Sequence, residues 1–371
     1  MSDRTPAEVF PPGEFLMDEL EARGWTQTEF AELIRRPTRV VNEIIAGKRG
    51  VSPDTARDFA AALGTSAQLW MNLETAYQLS KVPPREEAIA QEAVLRERFP
   101  VREMIKRGWI KTANSYHDLE SAVLSHFRLS SVDAPIEFPH AARRNYEKDL
   151  TTVQYAWLFR VNQLAEALRT PKYSEHRLRE ATSELERLMM EPEEIRHVPR
   201  ILAEAGVRLV IVEPIPGSQI QGVCFWIGSN ASPVIGLSLK GDSIDKFWFN
   251  LWHEIEHVLR GDGKNGMIIE DFDEAPAPED ECEKAANEGA ANWCVPAKPM
   301  KDFILRHSPM FAEKNLIGFA RIMKRHPGIV VGQIQKRTNR WDLFRKHQVR
   351  VRQIITQTAV TDGYGRNPSG V

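Results

Sequence analysis

The sequence predicts a mainly α protein with a small β-sheet, an α+β chain. Three observations carry this. Apolar residues recur at helical spacing through most of the N-terminal half, as in Tyr155-Ala156-Trp157-Leu158-Phe159 through Leu164 and Leu168. After Pro199 the period shifts to two, in the β-rich runs Val207–Val212, Gly222–Ile227 and Val234–Leu239, separated by Pro, Gly, Ser and Asn turns. The length, 371 residues, exceeds what one hydrophobic core usually organises, so more than one domain is expected.

With 42% hydrophobic and 27% charged residues and a formal net charge of −2, the chain has a soluble globular composition and names no partner by charge alone. Cys224, Cys282 and Cys294 are too few and scattered for a disulfide framework, which fits a reducing cytoplasm. The start, MSDRTPAEVF, has no signal-peptide stretch, and no segment approaches the ~20 apolar residues that span a bilayer, so no membrane is expected.

Lys81-Val82-Pro83-Pro84 interrupts a helical pattern and marks the first boundary. The expected organisation is an all-α domain at 1–81, a helical middle region at 82–198, an α+β domain at 199–340 and a basic C-terminal tail at 341–371, its last part, Thr361 to Pro368, frayed.

Within the first domain, Thr26 to Ile34 reads as one short helix, Arg35-Arg36-Pro37 breaks it, and Thr38 to Ala46 forms a second that stops at Gly47. Two short helices and a tight turn make a helix-turn-helix, whose second helix can enter the major groove. Thr38, Arg39 and Asn42 then reach base edges, with Arg35, Arg36, Lys48 and Arg49 near phosphates. The plainer alternative is a helical hairpin with solvated charges, since residues 1–81 hold nine Lys or Arg against twelve Asp or Glu. Five of those nine cations, however, lie between Arg35 and Arg49, where an electrostatic footprint is needed.

The strongest chemical signal is the apolar helix from Phe247 to Leu259, which contains His253-Glu254-Ile255-Glu256-His257. Histidines four apart share a helix face and can give two imidazole nitrogens to one Zn2+, with Glu254 as general base towards a water acidified by the ion. A third ligand is expected on a following helix, and Glu283 supplies one, with Asn287 one turn on and able to hydrogen-bond a ligand histidine. Two His and one Glu leave a coordination position open, as a catalytic zinc needs. The alternative for the pair is a core or interhelix contact, and metal binding without catalysis also remains open. Cys282 reads as a packed or partly exposed thiol. His326 is open between steadying an oxyanion and standing as a loop histidine before Pro327. The stretch Lys336, Arg337, Arg340, Arg345, Lys346, Arg350, Arg352 is open between a DNA contact and a solvated face.

Pro12 to Leu16, Gly47-Lys48-Arg49-Gly50, Leu63-Gly64-Thr65-Ser66 and Leu69 to Leu73 resemble the HigA-type antitoxin family over roughly residues 11–80. The resemblance implies an XRE-like DNA-binding module, a homodimeric repressor acting at an operator and, in some members, a toxin partner. The C-terminal half resembles the ImmA/IrrE metallopeptidases over roughly residues 200–340, through His253-Glu254-x-x-His257, Glu283-x-x-Ala286-Asn287 and Pro296. That implies a zincin-like, gluzincin-type domain with Glu283 as third ligand, and a protein substrate such as a phage-type or stress-response repressor. Gly289 and Trp293-Cys294 depart from that pattern and are expected to loosen local packing. The different-class alternative is a HigA-like repressor or antitoxin with a structural or silent zinc site.

Overall fold

The computed structural model describes residues 9–82, 86–139, 150–228, 231–264, 267–270 and 281–366. It divides into two compact units, Met1–Ile89 and Ala90–Val371.

The first unit holds five helices, α1 (Pro12–Arg23), α2 (Gln27–Leu33), α3 (Thr38–Ile45), α4 (Pro53–Leu63) and α5 (Ala67–Ser80). Local chemistry sets their ends. Thr26 and Glu29 close a reciprocal capping box on α2, Ser52 and Ser66 cap α4 and α5, and Gly24 and Gly64 end α1 and α4 in the left-handed conformation. Leu16, Leu20, Phe30, Val41, Ile44, Phe59 and Trp70 form one buried core, with Phe59 5.4 Å from Phe30 and 5.1 Å from Trp70 between ring centroids. A methyl at Gly13 would lie 2.2 Å from the Ile44 carbonyl oxygen, so glycine is what lets α1 close on the end of α3.

The second unit contains α6 (Glu86–Arg98, which crosses the division), α7 (Val101–Lys106), α8 (Tyr116–Phe127), α9 (Thr152–Ala167), α10 (Glu175–Leu188) and α11 (Val198–Glu204). The strands β1 (Arg208–Val212), β2 (Gly222–Ile227) and β3 (Ser232–Leu237) follow, then α12 (Ile244–Arg260), β4 (Ile268–Glu270), α13 (Glu281–Cys294), α14 (Ala297–His307), α15 (Glu313–Met323), α16 (Pro327–Thr338), α17 (Arg352–Ile355) and β5 (Val360–Asp362). The mixed sheet runs β4-β2-β3-β1-β5. β1 is parallel to β3 and β5, and β2 is antiparallel to β3 and β4.

Alternation along β2 separates two cores. Cys224 and Trp226 face a cluster built with α10 to α13, whereas Val223, Phe225 and Ile227 face one built with α7 to α9. Of the helical middle region at 82–198, α7 to α9 cover the sheet's second face, while α10 packs in the first cluster. All six residues of β2 are buried, which requires apolar elements on both sides. α9 serves this role with nine buried residues, and its Trp157 donates from Nε1 to the Val212 carbonyl at 3.0 Å.

The expected frayed tail is corrected by the structure. Val351 and Ile355 are fully buried, β5 pairs with β1 at Val210–Val360, Ile211–Thr361 and Val212–Asp362, and buried Asp362 forms an ion pair with buried Arg160 of α9. The Tyr364 hydroxyl donates to the Ser238 carbonyl. A parallel partner some 150 residues away leaves no local signature, so Thr361-Asp362-Gly363 reads in isolation as a turn. Asn367 and Pro368 lie outside the described residues.

Candidate metal centre and DNA-reading face

α12 is buried along its inner face from Ile244 to Val258, and the buried set includes His253, Glu254 and His257. Its end is fixed by Gly261, left-handed at φ 72°, whose N–H returns to the helix carbonyls. The two imidazole Nε2 atoms lie 3.0 Å apart, Glu283 Oε2 is 3.2 Å from His253 Nε2, and Glu283 Oε1 is 3.5 Å from His257 Nε2. Three donors bound at about 2.05 Å to a tetrahedral zinc stand about 3.3 Å from one another. The observed distances, those to Glu283 running to its two different carboxylate oxygens, lie near that value, so the donor set fits the ion. These three residues are the group among the described residues whose ligand atoms could hold a metal, all within 4.8 Å.

Glu283 arrives on the first turn of α13, and α13 packs on α12 more extensively than any other helix in the chain. The residues expected to loosen this contact instead tighten it. Trp293 stacks on Trp252 at 4.6 Å and 10°, and its Nε1 donates to Glu256 at 2.7 Å. A Cβ at Gly289 would lie 2.6 Å from Glu256 Cδ, so glycine leaves the room that Glu256 occupies. Buried Arg325 donates to the carbonyls of Cys294 at 3.0 Å and Trp293 at 2.9 Å and to Glu186 at 2.5 Å, fixing the far end of α13. Asn287 interacts with His253, as the spacing from Glu283 predicts.

Glu254 lies one residue beyond His253, 1% exposed, and among the described residues neither of its oxygens has a hydrogen-bond partner. Burial, with the nearby Glu283 charge, pushes its carboxyl well above the usual carboxylate range. Its place is cut into β2: a Cβ at Gly222 would sit 2.1 Å from Glu254 Oε1. Burial also lowers the His253 pKa, against the opposing effect of its Glu283 contact, which favours the neutral ring that ligates metals.

Two residues here escape sequence reasoning. Gly222 is one. The other is Asp262, whose Oδ2 lies 3.0 Å from His257 Nδ1. A carboxylate there must accept from Nδ1–H, which turns the Nε2 lone pair of His257 to the centre. A carboxylate five residues after the second histidine, just past the helix-ending Gly261, was the available signal.

His326 stands elsewhere. It caps α16, its Nδ1 accepts from Gly328 N–H at 3.1 Å, and the charged groups near it are Glu191, Glu193 and His347. It thus stands before Pro327 as the cap of α16, and among its described partners none belongs to the His253 centre. The basic stretch after α16 is partly paired within the unit: Arg340 with Asp342, Lys346 with Glu313 and Arg352 with Asp242.

In the first unit, α3 buries Val41 and Ile44 and leaves Arg39 and Asn42 exposed, with Thr38 half-buried at its start. Arg35, at φ 55°, makes the turn between α2 and α3. Arg36 is held by Asp58 at 2.6 Å, and Lys48 and Arg49 are exposed beyond α3. Thus Thr38, Arg39 and Asn42 lie together, while Arg36 is tied to the scaffold.

The helix-turn-helix family model matches residues 16–70, and the model described as the IrrE N-terminal-like domain matches residues 204–325, a span that includes His253, His257 and Glu283 and stops before His326. Virulence-associated protein I of Dichelobacter nodosus is 33% identical over 79 residues, 21% of this chain and 73% of that protein. The uncharacterized HTH-type transcriptional regulator YddM of Escherichia coli (strain K12) is 26% identical over 70 residues, 19% of this chain and 74% of that protein. Among solved structures, the Pseudomonas aeruginosa antitoxin HigA with the higBA promoter is 35% identical, covers 20% of this chain and 82% of its own, and superposes with a TM-score of 0.20.

Proposed function

For a chain that belongs, over residues 16–70, to the helix-turn-helix family and, over residues 204–325, to the IrrE-like domain family, we propose a DNA-binding regulator whose second unit is a zinc-dependent endopeptidase acting on a repressor or other regulatory protein. The observation that carries this is the convergence of His253, His257 and Glu283 beside a buried carboxylate, Glu254, with no hydrogen-bond partner among the described residues. An unpaired buried carboxylate is costly unless a function keeps it.

His253, His257 and Glu283 would hold a zinc ion, which would supply Lewis acidity for hydrolysis of a peptide bond. Glu254 takes the proton of the attacking water and returns it to the leaving amine, and its burial strengthens its hold on that proton. Asp262 and Asn287 hold the two imidazoles in orientation. The first unit, through Thr38, Arg39 and Asn42, brings the chain to an operator as a homodimer in the cytoplasm, where none of the described helices is long and apolar enough to cross a membrane.

A second reading has its own observation. His253 and His257 are 0% exposed and Glu254 1%, and ligands so deeply buried also fit a repressor or toxin-binding antitoxin whose zinc is structural. Metal analysis of wild type and Glu254→Gln, each incubated with candidate repressors and analysed by mass spectrometry, separates the two. One zinc per chain with cleavage by wild type alone supports the peptidase; one zinc with no cleavage moves the weight to the repressor; no bound metal refutes both. A monomer by light scattering at micromolar concentration would count against the dimer.

A further inference from the structure

We propose that Glu43 is a specificity-determining residue of the DNA-reading face: in the free protein it holds Arg39 and Arg49, and it admits tightly only a duplex that offers its carboxylate an exocyclic amino donor. This rests on the first unit binding DNA.

With Val41 and Ile44 buried, the opposite face of α3 presents Arg39, Asn42, Glu43 and Ala46. Glu43 is thus a carboxylate on the surface that would meet a polyanion. Its Oε1 accepts from Arg39 Nε at 2.7 Å and its Oε2 from Arg49 Nη1 at 3.1 Å. The arginines are exposed, with 87% and 52% of their side chains open, so both can swing to other acceptors. Since Arg36 is already on Asp58, three of the five cations between Arg35 and Arg49 are paired before any DNA arrives.

On a random duplex, either arginine that moves to a phosphate leaves Glu43 facing negative charge with nothing to accept from. In the major groove only cytosine N4 and adenine N6 present amino donors, and a carboxylate accepts from cytosine N4 in particular. A duplex that places such a base under Glu43 offsets the loss of the arginine pairs, while one that places guanine or thymine there does not. The carboxylate therefore disfavours non-specific binding more than it aids any single contact.

The test is fluorescence anisotropy of the full chain with a random-sequence duplex, wild type against Glu43→Gln, from about 50 to about 200 mM salt. Gln keeps the length and helix propensity of Glu, and equal melting temperatures check the fold. The expected result is tighter binding by Glu43→Gln and a salt slope steeper by about 1 to 2, since each freed cation adds ~0.9 to the slope, which over that salt range is about 3-fold more loss for one cation and about 12-fold for two. With Arg39 and Arg49 both replaced by Gln, the same change at Glu43 should leave the slope unaltered. Equal affinity and slope for wild type and Glu43→Gln, or weaker binding by the variant, overturns the proposal while leaving DNA binding standing. If neither protein binds at the lowest salt, DNA binding fails and the proposal with it.

Discussion

Gly222→Ala tests how the Glu254 carboxylate is seated. The added methyl carbon would lie 2.1 Å from Oε1, 3.1 Å from Cδ and 3.3 Å from Cγ of Glu254. An ordinary carbon–oxygen contact is about 3.4 Å, so the carboxylate must retreat by about 1.3 Å. Glu254 is 1% exposed, so the retreat has no solvent to enter and must displace packed neighbours. Overpacking of this kind costs about 1–3 kcal/mol, and in the proposed peptidase a displacement of about 1 Å at Glu254 should lower turnover about 100-fold. The assay is a double-mutant cycle by urea denaturation of the metal-free protein, comparing Gly222→Ala in wild type and in Glu254→Ala. With the carboxylate gone, most of the penalty should vanish, leaving less than about 0.5 kcal/mol. An equal penalty in both backgrounds would show that the methyl strains the β2 backbone or another neighbour, and that Gly222 does not form the seat.

Three further outcomes follow from named contacts. Asp262→Asn removes the carboxylate on His257 Nδ1 and should weaken zinc binding about 10- to 100-fold in a chelator competition; unchanged affinity would remove Asp262 from the centre. His126, stacked on Trp109 at 5.7 Å and hydrogen-bonded to the Ala156 carbonyl, is pushed by burial from 6.5 down to about 4. The unfolded chain therefore binds the extra proton between these values, so stability is full above pH about 6.5 and falls, by on the order of 3 kcal/mol, as the pH drops through about 4. His126→Gln should flatten that slope in pH-dependent melts, and an identical slope would place the acid sensitivity elsewhere. Arg325→Ala leaves the Cys294 and Trp293 carbonyls and Glu186 without their donor and should lower stability by about 3 kcal/mol by denaturant midpoint; a loss under about 1 kcal/mol would mean that water replaces the guanidinium.

The residues of the candidate centre were legible because their pattern is local. His253 and His257 fall on one helix face by periodicity alone, with Glu254 beside them, and Glu283 with Asn287 repeats the spacing one helix later. The same holds for the first unit, where caps and turn glycines are written next to the helices they end, and for β1 to β3, whose apolar runs announced strands. In the unbroken apolar run Leu209–Val212 lay a clue left unused: a strand without alternation is covered on both faces, and α9 covers the second one.

What the sequence by itself determined is which groups can act: two imidazoles, a base, a third ligand and a cluster of cations on a short helix. Tertiary structure alone decided which of them lie together and what constrains them. Asp262 reaches His257 only once Gly261 turns the chain back, Gly222 shapes the Glu254 slot from a strand remote in sequence, and β5 finds β1 and Arg160 across most of the unit. Helical faces repeat every few residues and can be read from spacing, whereas contacts between distant segments are chosen by packing of the whole core and leave no periodic trace in either partner.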